Sequence, residues 1–157
     1  MYLTIHAAGG ALIGHYIENP GIAFMLGIIS HYFFDMLPHY DSDFSARSQT
    51  VKSLRKKHLS KIVGLIYLNV SIAILVGAAI LTNNIHFLTP SVFWGIIGAI
   101  LPDILTALEF FFRKNFVIKK INEFHDFLHY HPQNQLSVFL GGLTQVITLI
   151  IIVRPLI

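Results

Sequence analysis

Four runs of mostly apolar residues, Gly21 to Pro38, Ile62 to Thr82, Ser91 to Phe112 and Leu136 to Val153, are each 18 residues or longer. At about 1.5 Å of rise per residue, such a run in α-helical form is close to the thickness of a bilayer's hydrocarbon core. Inside lipid, every backbone N–H and C=O must be satisfied within the protein, so these runs are expected as helices. A fifth run, Leu3 to Ile17, is shorter, and its Gly10 and Gly14 form a small-residue face suited to close helix contact. The expectation is an all-α, polytopic membrane bundle of four to five transmembrane helices. It forms a single integral membrane domain over residues 1–157.

Composition agrees with this reading. Apolar residues make up 54% of the chain and charged residues 12%, with a mean hydropathy of +0.65. A soluble domain of this size does not usually carry that balance. The first twenty residues lack a basic stretch and carry His6, His15 and Glu18, so the first helix is expected to remain in the mature protein. There is no cysteine, which excludes disulfides, thiolate ligands and cysteine nucleophiles. Glycine motifs for nucleotide binding and a serine nucleophile elbow are also absent.

The net charge of +3 does not point to nucleic acid. Ten of the eleven Lys and Arg residues lie in two stretches, Arg47 to Lys61 and Arg113 to Lys120. Basic stretches beside apolar spans mark cytoplasmic segments. The loop at 39–61 is therefore expected in the cytoplasm. Residues 83–90, with neither Lys nor Arg, are expected outside. Five crossings then give a multi-pass protein of the cell inner (plasma) membrane with a cytoplasmic N-terminus. Over about residues 113–131, Val117, Ile121, Phe124 and Leu128 recur at helical spacing, with Lys119, Asn122, Glu123 and Asp126 on the other side. That pattern predicts an amphipathic helix at the cytoplasmic interface.

Against this apolar background the ionisable residues are costly, about 2.5–3.5 kcal/mol each near a bilayer centre, and so suggest function. His31 and Asp35 are four apart and share a helix face. His39 and Asp41 follow, on the same face only if the helix survives Pro38. Imidazole and carboxylate together suit zinc, manganese or iron, although a packing hydrogen bond would also account for the His31–Asp35 pair. Asp103 follows Pro102 inside an apolar run and needs a partner. His125 and His129 are again four apart, in a His-Asp-Phe-Leu-His stretch similar to the zinc-protease motif with Asp in place of Glu. His6, His31, Asp35 and Asp103 converge on one depth near the cytoplasmic side of the predicted helices. The candidate metal ligands are His6, His31, Asp35, His39, Asp103, His125 and His129, with His131 nearby, and Asp126 and Asp41 are the candidate bases. His15, His58 and His86 read as structural or solvated.

The stretch Ser30-His31-x3-Asp35-x2-Pro38-His39-x-Asp41, with Leu101-Pro102-Asp103 and His125-x3-His129, resembles the YdjM-like family of predicted membrane-bound metal-dependent hydrolases. The resemblance covers less than half of the chain. It implies a kinship with zinc-dependent phospholipase C and related nucleases. It also implies His31 and Asp35 as ligands, with Asp103 and His125 or His129 joining them. The leading expectation is a metal-dependent hydrolase at the cytoplasmic leaflet, with a divalent ion, zinc first, and a phospholipid or other phosphoester substrate. The alternatives are a metal-ion or proton transporter using the same residues and a non-catalytic membrane scaffold or haem protein.

Overall fold

The computed structural model describes residues 1–39, 69–78, 80, 82, 87–109, 115–128 and 137–157. These residues form α-helices, with no strand among them. In chain order they are α1 (Leu3–Tyr16), α2 (Pro20–Asp35), α3 (Asn69–Ala78), α4 (Pro90–Glu109), α5 (Phe116–Leu128) and α6 (Val138–Val153). A 3-10 turn at Arg154–Leu156 closes the described chain.

Local chemistry sets several of the boundaries. The Asn19 side chain accepts from the Gly21 and Ile22 amides at 2.9 and 3.1 Å, and Pro20 takes the first helical position, where its missing N–H costs nothing. Asn115 caps α5 in the same way, accepting from Val117 and Ile118, and Ser137 caps α6 through the Leu140 amide. Pro38 disfavours helical backbone at the residue before it, and α2 stops at Asp35. The helical register of His31 and Asp35 therefore does not carry on to His39.

Among the described residues, two helical segments, Pro90–Leu108 and Phe139–Leu156, are long and apolar enough to cross a membrane, and part of the other expected spans lies outside the described residues. α1 and α2, at 14 and 16 residues, are shorter, and of the predicted run Ile62 to Thr82 only 69–78 forms a described continuous helix. Most of both long segments is not buried within the protein. Phe139, Ile150 and Ile151 of α6 and Phe93 of α4 stand exposed. An outward apolar surface of this kind is unfavourable in water and favourable in lipid.

α1 and α2 pack on α4 at very short range. α1 runs opposite to α4, with Gly14 beside Ser91 and Gly10 beside Gly95. A Cβ added at Gly95 would collide with the Gly10 carbonyl oxygen, and one at Gly98 with the Phe24 carbonyl of α2. Backbone cannot give way as a flexible side chain can, so glycine is required at both positions. Ile5, Ala8, Ala11 and Val92 continue the core toward Ile152 and Val153 at the end of α6 and Leu156 in the 3-10 turn after it. This arrangement brings the first turns of α1, the last turn of α2 and the second half of α4 together.

Candidate metal centre

Asp35, the last residue of α2, is buried, and four nitrogens surround its carboxylate. The Met1 backbone nitrogen and His6 Nε2 lie 2.8 and 3.1 Å from Oδ1. His31 Nε2 and His125 Nε2 each lie 3.1 Å from Oδ2. The two Nε2 atoms are themselves 3.1 Å apart, so with Oδ2 they form a triangle of equal sides. Asp103 stands further off, its Oδ1 3.9 Å from His31 Nε2. One ligand atom from each of His31, Asp35, Asp103 and His125 fits within 4.8 Å of the others.

As a hydrogen-bonded cluster with His31 neutral, the triangle has at most one proton, on His125 Nε2, to share between two acceptors. His31 Nδ1 lies 2.8 Å from the Ala99 carbonyl oxygen. A carbonyl only accepts, so Nδ1 carries a proton. In neutral His31 the Nε2 atom is then a bare lone pair, facing a carboxylate oxygen that also only accepts. A cation between these atoms removes that repulsion. Anchoring the far ring nitrogen on a carbonyl is also the usual way a metal-binding histidine is oriented. Ligands about 2.0–2.1 Å from a tetrahedral zinc stand about 3.3–3.4 Å from one another, close to the separations seen here. The donor set of imidazole nitrogen and carboxylate oxygen suits zinc, manganese or iron.

His6 adds a second observation. It is fully buried, and its ring stacks on that of His31 with centroids 4.1 Å apart. Neither of its nitrogens makes an aligned hydrogen bond among the described residues, although Nε2 points at Asp35. A buried polar atom left in this state is costly unless something else satisfies it. The group as a whole fits a bound cation.

Each helix contributes through its local geometry. The i, i+4 spacing in α2 puts His31 and Asp35 on one face. In α4, Pro102 cannot donate to the Gly98 carbonyl, and one residue on the Ala99 carbonyl accepts from His31. α5 delivers His125, and one turn earlier the Asn122 side chain is buried against Thr106 of α4 at 3.2 Å. The buried edge of α5 is thus its polar edge, whereas Phe116, Val117, Phe124 and Phe127 face outward. Tyr32 leans on the same corner, its ring 5.9 Å from His125 and 5.4 Å from Phe124.

Of the residues proposed from the sequence, the structure brings together His6, His31, Asp35, Asp103 and His125. His39 is buried and donates from Nδ1 to the Leu37 carbonyl at 2.7 Å, and it is not one of the four whose ligand atoms converge. Asp126 is half-buried on α5, about 100° around the helix from His125. Asp41, His129 and His131 lie outside the described residues, as do His58 and His86. His15 is exposed and stacks on Phe87, in keeping with a structural role. Sequence reasoning missed the Met1 nitrogen, the Ala99 carbonyl, Tyr32 and Asn122. Two of these had a signal, since Tyr32 follows His31 and Asn122 precedes His125 by one turn. The backbone atoms had none. Comparison of the chain with protein-family models, curated proteins and solved structures gives no match.

Proposed function

We propose that this chain is a membrane-embedded metal-dependent hydrolase that acts on a phosphoester at the lipid headgroup boundary of the cytoplasmic leaflet. The observation that carries this reading is the 3.1 Å triangle of His31 Nε2, His125 Nε2 and Asp35 Oδ2, with Asp103 at its open side. Three close protein ligands with one position left over is the pattern of catalytic rather than structural zinc. A divalent ion held there would supply a Lewis acid for a phosphoryl oxygen and lower the pKa of a bound water.

The protein's own groups have separable tasks. The Ala99 carbonyl fixes the His31 tautomer. Asp35 and His125 complete the close set, and His6 packs behind His31. Asp103 has a side chain 32% exposed, against 2% for Asp35 and 0% for His31, so substrate and water enter from its side. Its carboxylate takes the proton of the attacking water, a role considered from sequence for Asp126 and Asp41. A relay across the bilayer, as a transporter needs, has less support. Beyond the cluster, the contact among α1, α2 and α4 is lined by Ala8, Ala11, Ala23, Val92 and glycines, and the buried Ser91 there donates to the Glu18 carbonyl.

The test is metal content and turnover together. Protein purified under metal-replete conditions should hold zinc, manganese or iron, and His31→Ala should lose it. Wild type should also release phosphate or an alcohol from phospholipid vesicles, with Asp103→Asn keeping the metal but losing turnover. A wild-type protein that binds no divalent ion defeats the proposal.

A further inference from the structure

α5 has three distinct faces. Ile118, Asn122 and His125 turn toward the bundle, with Asn122 and His125 buried. Lys119, Glu123 and Asp126 form a charged edge, on which Glu123 pairs with Lys120 at 2.8 Å. The third arc is bare and, apart from Lys120, apolar. Phe116, Val117, Phe124 and Phe127 lie there, with Phe127 82% exposed and Phe116 70%.

The neighbours of that arc identify what covers it. Phe124 meets Tyr32 of α2 edge-on, and beside Tyr32 the exposed residues Ile29 and Phe33 of α2 and Met36 just after it form one outward stripe. The bare arc of α5 therefore continues an apolar surface that extends over α2. The long helices α4 and α6 are bare and apolar on their outward sides as well. One solvent suits all of these surfaces, the acyl region of a bilayer. The Lys120 ammonium lies 5.8 Å from the Phe116 ring centroid, the position of a lysine whose stem covers apolar surface while its charge reaches the headgroups.

We infer that α5 docks by its phenylalanine arc into the lipid boundary, and that this docking holds His125 in the metal centre. The inference rests on the metal-site reading above. His125 lies about 180° around the helix from Phe116, so lipid on one side of α5 seats the histidine on the other. Of the three corners of the triangle, two belong to α2, and only His125 comes from an amphipathic helix. Metal affinity is therefore coupled to the bilayer, and the site is complete only where its lipid substrate is present.

The experiment uses the full chain in nanodiscs of phosphatidylcholine and phosphatidylglycerol. In a Trp94→Phe background, the emission of Phe127→Trp should be quenched by brominated lipids, most strongly by those brominated near the headgroup. Zinc affinity, read by chelator competition, should fall about 10- to 100-fold in Phe116→Ser/Phe127→Ser, the range typical of losing a partner that orients a ligand. It should fall no further when His125→Ala is added. Phe116→Leu/Phe127→Leu, which keeps the arc apolar, should bind zinc as wild type does, separating docking from a folding defect. Emission that no brominated lipid quenches overturns the docking, including the case where a second copy of the chain covers the arc. Equal zinc affinity in the serine variant and wild type overturns the coupling. If wild type itself binds no zinc, manganese or iron, the metal reading and the coupling fail together, and the quenching still decides whether α5 docks.

Discussion

Near Gly10, Gly95 and Gly98 the helices meet by leaving atoms out, whereas near Asp35 they meet by crowding polar atoms in. The first contact brings backbone against backbone and depends on shape alone. The second places three imidazoles, a carboxylate and a backbone nitrogen around one point, with His6, His31 and Asp35 almost wholly buried. Buried polar groups of this kind destabilise unless each finds a partner. The glycine contact therefore fixes how closely the helices approach, and the polar end, unfavourable as packing alone, is where the proposed chemistry would take place. The two are separated by only one or two helical turns of α4, from Gly95 and Gly98 to Asp103.

That contrast can be broken from either end. The largest effect is expected from Asp35→Asn, which keeps the shape of the polar end but removes the charge on which four nitrogens converge. Its metal affinity should drop by more than the roughly 10- to 100-fold cost of losing an outer partner, with helical circular dichroism unchanged. Metal retained at the wild-type level would show that the cluster is only packing. Next is Gly95→Leu, which forces a side chain into the Gly10 backbone. It should destabilise the fold by about 1–3 kcal/mol in denaturant titration and release metal as well, because α1 and α2 can no longer approach α4. Unchanged stability there would remove the claim that the glycine contact sets the site. The smallest effect belongs to Asn122→Ala, which takes the Thr106 hydrogen bond from α5. A loss of about 0.5–1.5 kcal/mol, with metal affinity weakened less than by His125→Ala, would place α5 as an adjustable arm rather than a part of the frame.

Much of the fold and of the site is legible in the order of residues along the chain. The apolar runs announce helices. The four-residue spacing of His31 and Asp35 places both on one face, and Gly10, Gly14, Gly95 and Gly98 point to close contact. Other features are not legible, for physical reasons. Periodicity divides α5 into an apolar and a polar side, but it does not say which side meets the protein. A bilayer can take the apolar side, and the buried edge proves to be the one that carries Asn122 and His125. Similarly, the continuation of the His31 face to His39 depends on whether the helix passes Pro38, and it ends three residues earlier at Asp35.

The sequence by itself determined that the described apolar runs are helical and that His31 and Asp35 share one helix face, because propensity and helical spacing act over a few residues. Only the tertiary structure decided that one carboxylate, Asp35, is the meeting point, that His125 completes the triangle, and that the Ala99 carbonyl sets the His31 tautomer. Those outcomes depend on how helices rotate and approach across the bundle. That geometry is set by backbone contacts between residues distant in the chain, such as Gly10 on Gly95 and Phe24 on Gly98, which no local pattern encodes.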